Sequence, residues 1–140
     1  MIQIIAGKKG KGKTKHLLDK VNAEVKEVHG NIVYLDKSSK HMYELNNKVR
    51  LIDTSEFGLS SSDGFIGFIC GIISQDHDLE EMYLDSFLTI AFAETDDEIQ
   101  HAIEKLDIIS EKYNVKFILS VSRDESKLPE CAKAKIVISL

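Results

Sequence analysis

Apolar residues come in short unbroken runs, separated by stretches in which they recur every three or four positions, and the two patterns alternate along the chain. "IQIIA" (2–6) is an apolar run closed by Gly7, the mark of a buried strand. From Thr14 to Val28, residues Leu17, Leu18, Val21, Val25 and Val28 recur at helical spacing with Lys and Glu elsewhere, and Gly30 ends the predicted helix. "NIVYLD" (31–36) is a second β-branched run, and the polar "KSSKHMYELNN" (37–47) predicts a loop or a short helical excursion. "KVRLIDT" (48–54) alternates less cleanly, as suits a third strand nearer a sheet edge.

The serine-rich "GLSSSDG" (58–64) reads as a flexible loop, with Asp63 placed to cap a helix in "GFIGFICGIISQD" (64–76). That helix is apolar nearly all round, which predicts burial on more than one side. "LEEMYLDS" (79–86) is the next strand. "FLTIAFAE" (87–94) either folds inward to complete the core or presents Phe87, Leu88, Ile90, Ala91 and Phe92 to a partner or a second copy; the core reading is preferred. "TDDEIQHAIEKLDIISEKYN" (95–114) opens with a capping box, Thr95 and Glu98, and carries Ile99, Ala102, Ile103, Leu106, Ile109 and Tyr113 as one stripe. "VKFILSVS" (115–122) is a strong strand, a short helix begins near Pro129, and "AKIVISL" (134–140) is a last strand.

Strands that alternate with helices and read as continuous apolar runs indicate a mainly parallel sheet covered on both faces. The expectation is one α/β domain over residues 1–140, a three-layer αβα sandwich on a mostly parallel sheet of five or six strands.

Composition agrees: 43% hydrophobic and 29% charged residues are those of a globular chain, not a disordered or membrane-embedded one. A net charge of -5 and scattered tyrosines (Tyr34, Tyr43, Tyr83, Tyr113) argue against nucleic acid as the partner. Cys70 and Cys131 make neither a disulfide framework nor a zinc site; Cys70 is expected to be buried and Cys131 partly exposed. The five histidines show no metal-ligand spacing. The beginning of the sequence is unlike a signal peptide and no segment has membrane-span length, so a cytoplasmic protein without a membrane partner is expected.

Against that acidic balance, "GKKGKGKT" (7–14) gathers lysines into the most glycine-dense stretch, directly between the first strand and its helix. Gly7-x-x-x-x-Gly12-Lys13-Thr14 fits the Walker A pattern. Glycines let successive backbone N–H groups turn inward as an anion nest, and the helix N-terminus aims its positive end at the same place. Lys13 would reach the β- and γ-phosphates and Thr14 would hold Mg²⁺. The candidate binding residues are Gly7, Lys8, Lys9, Gly10, Lys11, Gly12, Lys13, Thr14 and Lys15. The side chains of Lys8, Lys9 and Lys11 are not needed by the loop; they tolerate solvent or strengthen the phosphate field.

With these residues the chain resembles the P-loop NTPase superfamily, and the spacing Gly7-x-x-Gly10-x-Gly12-Lys13-Thr14 looks like the loop of its RecA/AAA-like division. In layout, and in "NVKFILSVS" and "GFICGIISQD", it is similar to small single-domain bacterial ATP-binding proteins. The resemblance implies a P-loop fold with strand order 5-1-4-3-2 and ATP as the ligand. It also implies a second Mg²⁺ partner, an Asp ending an apolar strand; among Asp36, Asp53 and Asp85, chain order favours Asp85. A glutamate that orients the attacking water would follow that Asp or the second strand. Ser86 and Asp36-Lys37-Ser38 stand there instead, leaving Asp36, Asp53 and Glu56 as candidates. Ser120 or Ser122 would sense the γ-phosphate, and Arg123 is a candidate charge-stabilising finger. Lys13, Asp85 and Ser120 are thus the catalytic candidates, with Thr14 and Asp85 for the metal. The expected function is Mg²⁺-dependent nucleoside triphosphate binding with slow or partner-stimulated ATPase activity. A small-molecule or nucleotide kinase and a non-catalytic nucleotide switch remain as alternatives.

Overall fold

The computed structural model describes all 140 residues, Met1–Leu140. Six strands form one sheet: β1 (Ile2–Ala6), β2 (Asn31–Asp36), β3 (Arg50–Asp53), β4 (Leu79–Leu84), β5 (Lys116–Val121) and β6 (Ile136–Ser139). Five helices join them: α1 (Lys13–Glu24), α2 (Ser62–Ser74), α3 (Phe87–Ile90), α4 (Asp96–Tyr113) and α5 (Glu130–Lys133). Every strand pair is parallel, in the order β3-β2-β4-β5-β1-β6. Without β3 the remaining five follow the expected order, and β3 occupies the outer edge that its weak alternation suggested.

Alternation along the strands divides the core in two. Ile5, Ile32, Tyr34, Tyr83 and Ile118 face Leu17, Leu18 and Val21 of α1. Ile4, Val33, Leu35, Met82, Phe117 and Leu119 face the other way, toward Phe65 and Ile69 of α2 and Ile99, Ile103 and Leu106 of α4. Helices therefore cover both faces. Because all strands run the same way, Ala6, Asp36, Asp53, Leu84 and Val121 end at one edge of the sheet, where open α/β sheets gather their ligands. No helix is long and apolar enough to cross a membrane.

Four local expectations are corrected. The α1 helix stops at Glu24; residues 25–28 form a turn that still tucks Val25 and Val28 against the core. Ser61, not Asp63, caps α2 by accepting from the Gly64 N–H, and the helix begins at Ser62, inside the stretch read as a loop. Only Phe65, Ile69 and Ile73 of α2 are buried, because α2 shares its sheet face with α4 and its outer side meets solvent. Cys70 lies on that outer side and is exposed. The 87–94 stretch folds inward as preferred: Phe87, Ile90, Ala91 and Ala93 are buried, while Phe92 is partly exposed.

Gly30 does not end a helix but brings two backbones together. A Cβ there would lie 2.0 Å from the Asp78 carbonyl oxygen, and its N–H donates to the Glu80 carboxylate. Gly30→Ala must displace the β2–β4 entry and is expected to cost about 3 kcal/mol in urea unfolding, as overpacking against rigid backbone does.

Candidate functional site

The loop between β1 and α1 is held in shape by Gly10 and Gly12, at φ of 86° and 88°, a region open to glycine and strained for other residues. Gly12 is the N-cap of α1 and has no side chain to satisfy the helix's first N–H groups. The other two long helices are treated oppositely. Ser61 caps α2, Thr95 and Glu98 form a capping box on α4, and acidic residues occupy both first turns. At α1 the first turn carries Lys13 and Lys15 and no acid, so its N-terminal positive potential is reinforced rather than offset.

Lys13 is 7% exposed, and its Nζ donates to the Lys8 carbonyl at 3.0 Å. Burial lowers its pKa, opposed by the charge of Asp85. Thr14 follows, donating from Oγ1 to Asp85 Oδ1 at 3.3 Å.

Asp85, 2% exposed, stands just past β4 in a web of donors. Its Oδ1 also accepts from the Ser120 hydroxyl at 2.6 Å and from the Ser86 N–H at 2.9 Å, while Oδ2 accepts from the Tyr34 hydroxyl at 2.8 Å. Ser86 takes a left-handed turn (φ 54°), and its N–H also donates to Ser120 Oγ at 2.8 Å. The hydroxyl hydrogen of Ser120 is therefore given to Asp85, not aimed into open space. Tyr34 is fully buried beside Tyr83, and burial together with the Asp85 charge pushes its pKa far up, so it remains a donor. Tyr34→Phe keeps the packing but strips Oδ2 of its protein donor. The expected cost is about 2 kcal/mol by urea titration, the usual value for a hydrogen bond to a charged group.

Asp36 ends β2 across from Asp85. It is 3% exposed, and its Oδ1 accepts from the Lys37 N–H at 2.7 Å. Burial first, and the Asp85 charge second, raise its pKa to about 6. Lys9, Gly10, Gly12, Lys13 and Thr14 form one wall of a cleft of about 390 Å³, with Asp36, Lys37, Ser38, Lys40 and His41 along another. Asp85, Ser86, Thr89, Ser120 and Ser122 complete the lining.

The fold thus brings together most of the residues expected from sequence. Gly7 is instead buried against Leu140, Lys11 is exposed, and Lys15 pairs with Asp19 at 3.0 Å on the surface of α1. Lys8 lines a neighbouring cavity with Arg123, whose guanidinium donates to Asp96 at 2.6 Å and to the Lys127 and Glu94 carbonyls. Arg123 therefore braces the start of α4 and is not among the cleft residues. Asp53 caps a short turn and shares a groove at the β3 edge with Glu56; of the three carboxylates considered for orienting water, Asp36 alone lines the cleft. Sequence reasoning missed Tyr34. A signal for Tyr34 was present: in "NIVYLD" it shares a strand face with Asp36.

Asp85, close enough for its charge to raise the Asp36 pKa, stands with Asp36 beside a threonine hydroxyl as a set of hard oxygen donors of the kind that suits Mg²⁺. No group of three or more His, Cys, Asp or Glu side chains converges in a way that could by itself hold a metal ion. Comparison with protein-family models and with curated protein sequences finds no match to the chain.

Proposed function

We propose that the chain binds a nucleoside triphosphate with Mg²⁺ through residues 7–14 and hydrolyses it slowly. The observation that carries this reading is the start of α1: an uncapped helix N-terminus, with Lys13 buried behind it, opens beside the Thr14–Asp85 pair. Anionic phosphate oxygens would satisfy the free N–H groups and neutralise Lys13, both of which raise the free energy of the empty protein. Thr14 directly, and Asp85 through water, would hold Mg²⁺, which draws charge from the β- and γ-phosphate oxygens when bound.

The remaining roles belong to the chain's own atoms. Tyr34, Ser86 and Ser120 orient the Asp85 carboxylate by donating to both of its oxygens. Asp36, with a pKa near 6, is ionised at neutral pH yet basic enough to take a proton from a water attacking the terminal phosphate. No arginine lines the cleft to stabilise the charge that develops in transfer, and Arg123 is held at α4. Slow turnover follows, with stimulation by a protein partner that supplies the missing charge. Phosphate release by the purified protein is expected below about one turnover per second, the lower bound of typical enzyme rates. A rate of several per second would overturn this assignment of the catalytic groups.

A further inference from the structure

We propose that the cleft recognises the triphosphate tail and not the nucleobase, so that its ligand class is any Mg²⁺-bound linear triphosphate, nucleosidic or inorganic. This rests on the nucleotide reading above and narrows it.

The 15 lining residues include no hydrophobic side chain. A base is ordinarily held by an aromatic or aliphatic surface on which it stacks, together with polar groups that read its edge. The one ring in the lining is His41, whose Nδ1 is paired with the Glu44 carboxylate, and no Asn or Gln is there to present a paired donor and acceptor. Tyr34, the aromatic beneath the floor, is fully buried with its hydroxyl committed to Asp85. Tyr43, 93% exposed, is the closest surface aromatic in sequence to the 37–41 wall; it lines a separate groove with Met42, Leu45, Val49 and Leu51 along the β3 edge.

What the cleft does offer is positive charge from two segments of the chain. Lys9 and Lys13 come from the β1–α1 turn and Lys37 and Lys40 from the segment after β2, against the two carboxylates Asp36 and Asp85. In a protein of net charge -5 this concentration favours a ligand of high charge density over one of large apolar area. Binding energy then comes from the phosphates, which every nucleoside triphosphate and inorganic tripolyphosphate share.

The test is calorimetric titration of the full chain, with Mg²⁺, by ATP, GTP, CTP and inorganic tripolyphosphate in parallel. All four dissociation constants are expected within about tenfold of one another. One nucleotide binding more than about tenfold tighter than tripolyphosphate overturns base-independence while leaving nucleotide binding intact. Absence of heat from all four overturns both readings. Lys37→Gln with Lys40→Gln should weaken the four ligands by a common factor of about ten, since each lost phosphate contact costs every ligand alike. Weakening confined to one nucleotide would again contradict the proposal.

Discussion

Asp36→Asn is expected to make the ligand-free protein more stable by about 3 kcal/mol at pH 8 while removing about 99% of its phosphate release. The stability half of this result follows from the carboxyl's surroundings. Asp36 has a pKa of about 6 against an ordinary 3.8, so folding moves the group toward its protonated form. Below pH 3.8 both folded and unfolded chains hold the proton, and Asp36 contributes no penalty. Between 3.8 and about 6 only the folded chain keeps it, and stability falls as the pH rises through that window. Above about 6 the penalty is complete, near 1.4 kcal/mol for each pH unit of the shift, or about 3 kcal/mol in all. Asparagine carries no charge to desolvate and can still accept from the Lys37 N–H. For a domain of this size the gain corresponds to roughly 10 °C in the unfolding midpoint. Urea titrations of parent and variant at pH 4 and pH 8 measure it: the curves should nearly coincide at the lower pH and separate at the higher. The loss of phosphate release follows from removing the group proposed to accept the proton of the attacking water, a role typically worth a hundredfold or more. A variant both more stable and less active marks a carboxylate placed against the interest of the fold.

Lys13→Ala is expected to weaken triphosphate binding by about 100-fold or more without making the protein easier to unfold. The lysine is 7% exposed, its one protein hydrogen bond goes to a backbone carbonyl, and burial lowers its pKa. The sign is the reverse of the usual surface lysine. With the folded value depressed, the charged group opposes folding at neutral pH, and that cost fades as the pH rises toward 10.5. Truncation removes the cost along with the side chain's packing, and the two offset. Binding differs because a charge-assisted hydrogen bond to phosphate has no substitute once the ammonium is gone. Isothermal titration gives the affinity and urea unfolding the stability. Equal affinity in parent and variant would remove Lys13 from the site.

The order of elements was legible because each strand is a short apolar run and α1 and α4 each carry an apolar stripe, signals that do not depend on distant neighbours. The candidate loop was legible for the same reason, since "GKKGKGKT" carries its own geometry in Gly10 and Gly12. What sequence left open depends on which surfaces meet. The α2 segment, apolar nearly all round, gave no hint that α4 would share its sheet face and leave Cys70 in solvent. The Tyr34–Asp85 bond spans 51 residues, and it requires β2 and β4 to be neighbours. Asp36, Asp53 and Asp85 look alike as strand-ending acids; β3's position at the sheet edge carries Asp53 away from the cleft. Arg123 invited a charge-stabilising role that its bonds to Asp96 and Glu94 pre-empt.

If backbone amides at the β1–α1 turn surround a triphosphate, as proposed, they will report its arrival. The measurement is to follow backbone amide resonances of the isotopically labelled chain during titration with Mg²⁺ and ATP. Saturable shifts are expected, largest at Gly10, Gly12, Lys13, Thr14 and Lys15 and smaller at Lys37 and Ser86. Saturation that leaves those five amides unmoved, or no shifts at millimolar ligand, would contradict the proposal.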